Sequence, residues 1–501
     1  MKKKVIIIGS GIGGLGSAAL LAKSGYDVIV IEKNNNLGGR ANIFEAEGYT
    51  FDMGPSWYLM PDVFEHYFNL IDEDITEHLD LVKLSPSYRV FFSGDEELPL
   101  VDIHSDLEKD LPLFEKLEPG ITPKIKEYLK RSGEQYEMAK ETFMYRNLGL
   151  SLDFLKWDVI KKGIELNPFQ TMQSYLNKWF KSERVKKILE YTLVFLGSDP
   201  AKTPAMYNIM NAIDFNMGVY YPTGGIYEIV RALVAINKKC GVAFMTNSPV
   251  SKIIVKNKKA TGVQLENGTT LEADLIISNA DLWFTETHLL EKLHQTYPER
   301  YWEKAVLSPS AFIMYLGLDR ELDILSHHNL RFGGDWKQNF KELFDTPKLP
   351  EDPSYYICKP TETDSDLSPQ GTDNLFVLVP IPPGLTLSEE DMKSYRQKIL
   401  NLMKTDLNLT AIEDYIVYER SYWSDEFQND YNAYKGTALG LAHTLKQTLK
   451  RPLNYSKKVK NLYYVGAGTS PGIGMPICLI SAELVYKRIQ KIKTPKPLKS
   501  L

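Results

Sequence analysis

Glycines near the amino terminus have the spacing that binds a phosphate. Gly9, Gly11 and Gly14 form a GxGxxG motif, and the acid Glu32 follows about twenty residues on, as such motifs require. The first glycine makes a tight turn, the second lets the backbone approach a pyrophosphate, and the third lets a helix pack on a strand. The phosphates would lie on the free N–H groups and the positive dipole of the helix N-terminus. This pattern predicts the binding of a dinucleotide.

The elements that must position this motif can be read on either side of it. Residues 5–8 are a β-branched run, typical of a parallel strand buried on both faces, and residues 18–22 continue as a helix. A second strand at residues 27–31 ends at Glu32. The motif therefore lies between a strand and a helix, the context that supports it. We expect Glu32 to accept hydrogen bonds from the ribose hydroxyls of an adenosine; its charge would repel a 2′-phosphate, which argues against NADP.

A second glycine cluster indicates which dinucleotide. Gly38, Gly39 and Arg40 complete an E-x(5)-GGR run that begins at Glu32. Two more glycines and a cation beside a phosphate site suit a longer, bent cofactor. The run resembles the extended signature of the large flavoprotein family that includes amine oxidases, protoporphyrinogen oxidases and carotenoid desaturases. The resemblance implies non-covalent FAD, with this segment wrapped around the pyrophosphate and ribityl region.

The rest of the chain alternates helical and strand-like patterns. Residues 61–220 are predicted to be mainly helical, with apolar residues at spacings of three and four, as in 160–189. Further strands are predicted at 243–246, 250–255, 261–265, 271–278, 311–318, 375–379 and 461–465, and helices at 227–238 and 389–407. We expect an α/β fold, with a doubly wound, Rossmann-like FAD-binding domain, an inserted α+β substrate domain and a helical, membrane-contacting insert.

The expected domain limits follow these patterns. The FAD-binding domain is assembled from three segments, at 1–85, 221–290 and 426–490. A mainly helical substrate or membrane insert spans 86–220, and a substrate domain spans 291–425. Residues 491–501 form a basic tail.

Segments over nearly the whole chain resemble the bacterial phytoene desaturase family of carotenoid biosynthesis. The segments that are similar to its motifs are FDMGPS at 51–56, YPTGG at 221–225, SNAD at 278–281, NAYKG at 432–436, residues 438–448, and LYYVGAGTSPGIG at 462–474. The last is the most specific of them. Other branches usually carry an acidic residue after its first glycine, so Ala467 favours the carotenoid branch over an amine oxidase.

This resemblance implies a set of FAD contacts and a reaction. The residues expected to bind FAD are Gly9, Gly11, Ile12, Gly13, Gly14, Glu32, Lys33, Gly38, Gly39, Arg40, Gly54, Pro55, Ser56, Val250, Gly466, Ala467, Gly474, Met475 and Pro476. The implied substrate is a long polyprenoid hydrocarbon such as phytoene, desaturated by hydride transfer to the flavin with loss of a proton to a base. In related enzymes a carboxylate of the helical insert is proposed for the acid–base role, and the nearest candidates here are Asp153 and Asp158. No second GxGxxG is left for a nicotinamide, so oxygen or a membrane quinone is the expected electron acceptor.

Two other classes of function remain open. Another enzyme of the same fold, such as a C30 diapophytoene desaturase, a carotenoid oxygenase or a retinoid saturase, fits the same residues. Rab GDP-dissociation inhibitors share the expected architecture without using flavin and act as lipid-chaperoning binding proteins. The intact GxGxxG and GGR runs and Glu32 favour a retained cofactor.

Composition limits the class of protein. The chain has 501 residues, a formal charge of −5 and 43% apolar residues, ordinary values for a soluble globular protein. A mildly acidic chain without a lysine–arginine stripe is not expected to bind nucleic acid. Cys240, Cys358 and Cys478 form no CxxC pair, which fits a reducing compartment and neither a disulfide framework nor a zinc motif. His327 and His328 are adjacent and would point to opposite faces of a strand, so no metal site is expected.

The two ends of the chain bear on its location. The apolar run at 5–8 is too short for a signal peptide, and no segment offers the roughly 18 uninterrupted apolar residues of a transmembrane helix. The C-terminal cations are Lys487, Arg488, Lys491, Lys493, Lys496 and Lys499. They predict either a frayed, solvated tail or a polybasic contact with anionic lipid. The expected location is cytoplasmic, with peripheral attachment to a membrane; the oligomeric state is open.

Overall fold

A computed structural model describes residues 2–147, 157–193 and 197–501. The strands are β1 (Lys4–Ile8), β2 (Asp27–Ile31), β3 (Ile43–Ala46), β4 (Tyr49–Asp52), β5 (Leu81–Lys83), β6 (Tyr88–Phe92), β7 (Leu100–Ile103), β8 (Tyr220–Pro222), β9 (Ala243–Met245), β10 (Val250–Lys256), β11 (Lys259–Leu265), β12 (Thr270–Glu272), β13 (Leu275–Ser278), β14 (Ser310–Leu318), β15 (His328–Phe332), β16 (Tyr355–Cys358), β17 (Asp373–Ile381), β18 (Ile416–Tyr422) and β19 (Leu462–Tyr464). The α-helices are α1 (Ile12–Lys23), α2 (Pro61–Leu70), α3 (Leu107–Leu117), α4 (Thr122–Ala139), α5 (Trp157–Glu165), α6 (Met172–Trp179), α7 (Glu183–Glu190), α8 (Ile209–Ala212), α9 (Tyr227–Lys239), α10 (Leu282–Thr287), α11 (Glu299–Trp302), α12 (Trp336–Phe344), α13 (Glu389–Asp406), α14 (Ile412–Tyr415), α15 (Ser424–Tyr431), α16 (Leu445–Leu449) and α17 (Met475–Ile489).

The amino-terminal motif lies at one end of a five-stranded parallel sheet with strand order β19–β13–β1–β2–β9. Strand β1 is central: Ile6 lies between Ile276 of β13 and Ile29 of β2. Helices α1, α9 and α17 cover one face of this sheet. The other face packs on the antiparallel sheet β10–β11–β12, through which the chain crosses from β9 to β13. The sheet is thus parallel as expected, but its second face is covered by an antiparallel sheet, with residues of α10 and α11 in the same cluster, rather than by helices alone as in a doubly wound fold.

A second sheet has seven strands in the order β18–β14–β17–β16–β15–β6–β7. Its pairs are antiparallel except β15 with β6. One face packs on α13, and the other on α3, α4, α6 and α7. Strands β6 and β7 come from the start of segment 86–220, so that predicted helical segment begins with two strands of this sheet.

One predicted strand divides in the structure, and the helical pattern at 160–189 is resolved into separate helices. Residues 271–278 form β12, which pairs with β11, and β13, which pairs with β1. Between them the Asp274 carboxylate accepts from the Lys4 N–H at 2.9 Å, and this bond directs the chain into the parallel sheet. Residues 160–189 fall in three helices because Thr171 and Ser182 cap new N-termini with their side-chain oxygens.

The C-terminal tail folds back on the protein. The Lys487 ammonium is buried, pairs with Glu483 at 2.8 Å and donates to the carbonyls of Tyr145 at 3.1 Å and Lys496 at 2.6 Å. The Leu498 N–H donates to the Glu483 carboxylate at 2.9 Å. The prediction of a frayed tail is therefore wrong, as is the inclusion of Lys487 among lipid-facing cations. The tail cations that stay exposed are Lys491, Lys493, Lys496 and Lys499.

Among the described residues, no helix is both long enough and apolar enough to cross a bilayer.

Candidate functional site

The first glycine cluster joins β1 to α1 at the carboxyl end of the parallel sheet. The Gly9 N–H donates to the Ile31 carbonyl of β2 at 2.8 Å, which ties the loop to both strands. Gly11 is the N-cap of α1, and no side chain caps that helix. Because the first N–H groups of a helix lack intrahelical partners, this end offers donors and a positive dipole to an anion. Residues 9–13 line a cavity of about 1160 Å³.

Glu32 is held beside this loop by three hydrogen bonds. Its Oε2 accepts from the Ser10 N–H at 2.9 Å and from the Ser10 hydroxyl at 2.7 Å, and its Oε1 accepts from the Asn34 N–H at 3.0 Å. Glu32 lines the cavity although it is only 5% exposed. A carboxylate has about four lone-pair sites, so capacity remains for a hydroxyl donor. The position suits the expected contact with a ribose, which stays a prediction.

The second glycine cluster lies against the first. The Gly38 N–H donates to the Ser10 carbonyl at 3.1 Å. Gly39 has a φ of +62°, and a Cβ there would lie 3.2 Å from the Gly11 Cα, so glycine suits both the conformation and the space. The Arg40 Nε is buried and has no hydrogen-bond partner among the described residues. Since an unsatisfied buried donor is costly, Arg40 fits a bound group that brings an acceptor, such as a pyrophosphate oxygen.

The glycine-rich C-terminal closure forms another part of the wall. Gly466 and Ala467 follow β19, and Gly474 precedes α17, whose first turn contains Met475 and Pro476. No side chain of the described residues caps α17. A second uncapped helix N-terminus therefore lies at the same cavity as the first.

Arg451 holds this closure in place, a role that sequence reasoning missed. Its buried guanidinium donates to the carbonyls of Ala467 at 2.9 Å, Thr469 at 3.1 Å and Leu441 at 3.3 Å. Burial lowers the pKa of Arg451, because removal from water disfavours the charged guanidinium. Nothing in the local sequence marks Arg451, because these acceptors are brought to it by the fold.

Asn279 lies between the two glycine loops at the end of β13. Its N–H donates to the Ile8 carbonyl at 2.7 Å. A Cβ at Gly11 would lie 2.7 Å from the Asn279 Nδ2, and a Cβ at Gly466 would lie 2.8 Å from its Oδ1. The sequence analysis identified the SNAD motif, but it did not predict that the Asn279 side chain lies between the two glycine loops.

The structure brings the predicted FAD-binding residues to one place. Those that line the cavity are Gly9, Gly11, Ile12, Gly13, Glu32, Lys33, Gly38, Gly39, Arg40, Gly54, Pro55, Ser56, Val250, Gly466, Ala467, Gly474, Met475 and Pro476. Gly14 lies behind the loop, where a Cβ would come within 2.2 Å of the Gly9 carbonyl oxygen. Two uncapped helix ends, a buried carboxylate and an unpartnered arginine nitrogen fit FAD.

The same cavity continues between the seven-stranded sheet and the helices of segment 86–220. Its wall there includes Phe332 at the end of β15, Trp336 and Phe340 of α12, and Met210 of α8. Apolar surface of this kind binds by removal from water, at about 25 cal/mol per Å². The cavity thus joins a dinucleotide-binding end to an apolar chamber.

The two carboxylates proposed for acid–base chemistry receive no support from the structure. Asp153 lies outside the described residues. Asp158 belongs to α5, but its side chain is not among those described. Ile160, Gly163 and Ile164 of the same helix line the cavity. The role of either aspartate stays a prediction.

The adjacent histidines do not point apart as expected. His327 precedes β15, so strand alternation does not separate it from His328, and their ring centroids are 4.5 Å apart. Their possible ligand atoms lie within 4.8 Å of each other and of the Cys358 thiol. Their Nδ1 atoms pair with the hydroxyls of Thr363 and Tyr356, each at 2.7 Å, and burial lowers the pKa of His327 to about 3. That the chain holds no metal stays a prediction.

Comparison with known proteins covers almost the whole chain. Residues 12–489 match the family described as flavin containing amine oxidoreductase. A carotenoid 3,4-desaturase of Haloarcula japonica is 42% identical over 96% of each chain. A zeta-carotene-forming phytoene desaturase of Myxococcus xanthus is 34% identical over 97% of this chain and 94% of its own. A 4,4'-diapophytoene desaturase of Staphylococcus aureus is 32% identical over 97% of this chain and 99% of its own.

Solved structures share the fold at low sequence identity. Putrescine oxidase matches with a TM-score of 0.63 at 14% identity, covering 98% of each chain. An oxidoreductase from Methanosarcina mazei matches with a TM-score of 0.61 at 18% identity, covering 97% of this chain and 100% of that one. Rab GDI from Plasmodium falciparum matches with a TM-score of 0.57 at 13% identity, covering 99% of each chain. These likenesses concern the fold alone.

The position of Glu32 predicts a graded effect on FAD retention. Glu32→Ala removes an acceptor worth about 1.5–3 kcal/mol, so the FAD dissociation constant should rise about 10- to 100-fold. Glu32→Gln keeps one acceptor oxygen and should weaken binding less. Equilibrium dialysis followed by flavin absorbance measures both.

The matched control is Asp27→Ala, at the exposed opposite end of β2. It should leave FAD binding unchanged. Full flavin occupancy of Glu32→Ala after dialysis would show that the carboxylate does not hold the cofactor.

Proposed function

The chain belongs to the family of flavin-containing amine oxidoreductases and, within it, to the carotenoid desaturases, and we propose that it introduces double bonds into a long polyprenoid hydrocarbon. It is an FAD-dependent oxidoreductase. When bound, FAD supplies a hydride acceptor. The observation that carries the proposal is the continuous cavity, which joins the dinucleotide-binding end to the apolar chamber.

The residues of the chain divide the work between these two ends. The N-termini of α1 and α17 and the Arg40 guanidinium bind the anionic part of the cofactor. The walls around Phe332, Trp336 and Phe340 bind the hydrocarbon by burial, since a substrate of this class offers no polar group. The same walls exclude water from the reacting carbons.

The substrate is a colourless acyclic precursor such as phytoene or its C30 counterpart, or a later, conjugated intermediate. One observation favours the later intermediate as a second candidate. The relative named carotenoid 3,4-desaturase is 42% identical, whereas those named for phytoene and diapophytoene are 34% and 32% identical. Oxygen or a membrane quinone takes the electrons from the flavin.

Substrate choice and redox partner are tested in one assay. The FAD-loaded protein is added to liposomes that contain phytoene, diapophytoene or an acyclic conjugated carotenoid, in air or with a quinone. Absorbance should shift stepwise to longer wavelength with one of the three, because each dehydrogenation lengthens the conjugated system. Removing FAD should stop the shift, and NAD(P)H should not be required.

Two other results of this assay would contradict desaturation. If turnover requires NAD(P)H and shortens the chromophore, the enzyme is a saturase and the proposed direction of the reaction is wrong. New oxygen in the product with an unchanged chromophore would indicate an oxygenase.

Peripheral attachment to a membrane is proposed on a different surface from the C-terminal tail. Ile164, Phe169 and Leu449 are 61%, 83% and 47% exposed, and all three also line the cavity. We name these three residues the rim. Exposed large apolar side chains at a cavity mouth suit an acyl-chain region, from which a hydrocarbon substrate enters. The exposed Lys446 and Lys450 beside Leu449 suit anionic headgroups.

Liposome flotation tests the rim. Ile164→Ser with Phe169→Ser should lower the partition coefficient about 10- to 100-fold, because burying each side chain stabilises by about 1.5–3 kcal/mol and part of it is already covered. Leu293→Ser is the matched control, since Leu293 is 64% exposed and does not line the cavity.

The tail is tested separately by replacing Lys491, Lys493, Lys496 and Lys499 with alanine. Each cation near anionic lipid contributes roughly 1 kcal/mol to membrane binding. Because salt screens the attraction between exposed charges, any contribution of the tail should vanish at high salt. For the rim, the contradicting result is that the variant with Ile164→Ser and Phe169→Ser floats with liposomes as well as the parent protein does. The rim would then not be the membrane contact.

A further inference from the structure

Asp214 is a buried carboxylate that the proposed reaction has not yet used. It lies in Ile213–Met217, a wide helical turn that follows α8, and it is 3% exposed. Its Oδ2 accepts from the Tyr88 hydroxyl at 3.0 Å and from the Tyr191 hydroxyl at 2.9 Å. Within the described ranges no cation pairs with it. Burial raises the pKa of Asp214 to about 7, although both hydroxyl bonds act in the opposite direction.

Tyr191 connects this carboxylate to the chamber. Tyr191 lines the cavity, whereas Tyr88 and Asp214 do not. The Tyr191 ring centroid is 6.1 Å from that of Trp57, which also lines the cavity. Trp57 directly follows Ser56 of the predicted flavin-binding segment, so the Tyr191 ring lies near the junction of the flavin end and the chamber.

Two half-buried carboxylates near the cavity have structural partners. Asp281 caps α10, accepting from the Trp283 N–H at 2.9 Å, and lies near the charge of Arg40. Asp52 accepts from the backbone N–H groups of Ile226 and Tyr227 at 2.7 and 3.0 Å. Asp214 differs from both because its partners are hydroxyls, which can pass on a proton.

We infer that Tyr191 and Asp214 form the proton-accepting pair of the desaturation, with Tyr191 as the group that meets the substrate. The inference rests on the proposed function. In the step, one C–H bond breaks with loss of a hydride to bound FAD, and the electron pair of the neighbouring C–H bond becomes the new C=C bond. The proton of that second bond passes to the Tyr191 oxygen as the Tyr191 proton passes to the Asp214 Oδ2. Charge is conserved, because the carboxylate becomes a neutral carboxylic acid.

The pair would be reset when bound flavin passes its electrons to oxygen or a quinone. That transfer would consume one proton, which Asp214 would return through Tyr191. Tyr191 itself stays a phenol before and after the step, since burial and the nearby Asp214 charge raise its pKa well above the usual range. A general base is most effective when its pKa lies near the working pH, which is the position of Asp214.

The ionisable groups around Asp214 are few. Tyr88 and Tyr191 contact it, and the charge of Asp110 raises its pKa further. Asp110 is itself paired with His104, with 2.6 Å between Oδ1 and Nδ1. His104→Gln therefore changes the charge near Asp110 without changing Tyr191 or Asp214.

The test uses the FAD-loaded protein, a polyene that it desaturates, and anaerobic measurement of the rate of flavin reduction against pH. The parent rate should rise with pH through about 7, because the carboxylate must be deprotonated to accept a proton. Tyr191→Phe removes only a hydroxyl and should lower the rate 10²- to 10⁴-fold, as should Asp214→Asn, which should also abolish the rise. Tyr88→Phe is the matched control; it removes a bond to the same oxygen outside the cavity and should lower the rate less than tenfold.

A second readout does not depend on turnover. Infrared difference spectra of the substrate-free protein should show a carboxylic-acid C=O band that disappears as the pH rises through about 7 and is missing in Asp214→Asn. If the parent protein desaturates a polyene and Tyr191→Phe keeps the rate within threefold, the inference is overturned and the function stands. If no polyene is desaturated, the proposed function fails. The inference as stated fails with it, and the infrared titration then reports only on the ionisation of Asp214.

Discussion

The structure depends on the parallel pairing of β1 with β13 and of β13 with β19. This pairing brings the loops that follow the three strands to one edge of the sheet, although they are hundreds of residues apart in the chain. The N-termini of α1 and α17 then face one cavity, with the Asn279 side chain between the two glycine loops. Without this register neither glycine cluster would have a partner, and the phosphate-binding end of the cavity would not exist.

The second constraint is that the lining of the cavity changes from charged and polar at one end to apolar at the other. One end carries helix dipoles, the Glu32 carboxylate and the Arg40 guanidinium, and the other is walled by aromatic and aliphatic side chains. An anionic cofactor and an uncharged hydrocarbon can therefore bind side by side, each in the environment that stabilises it. The seven-stranded sheet provides the rigid wall of the apolar end, and the helices of segment 86–220 provide the wall that reaches the rim.

The sequence was most informative where function needs a local backbone shape. Gly38 and Gly39 were predicted from their place beside the first glycine motif, and the C-terminal closure was predicted from its resemblance to the carotenoid desaturase motif. Arg451 and Asp214 were not predicted: the Asp214 partners Tyr88 and Tyr191 lie 126 and 23 residues away, and no local pattern records such contacts. The prediction of a doubly wound sheet was wrong for the same reason. The strand pattern at 250–272 does not show that these strands pack on one face of the parallel sheet.

The central claim is that a hydrocarbon in the apolar chamber is oxidised by FAD at the other end of the same cavity. Its most direct test is a single turnover without oxygen or quinone, in which flavin absorbance and polyene absorbance are followed together. We expect the loss of oxidised flavin and the appearance of new double bonds to occur at the same rate and in a one-to-one ratio. A polyene that binds while the flavin stays oxidised, or that is desaturated without flavin reduction, would contradict the central claim.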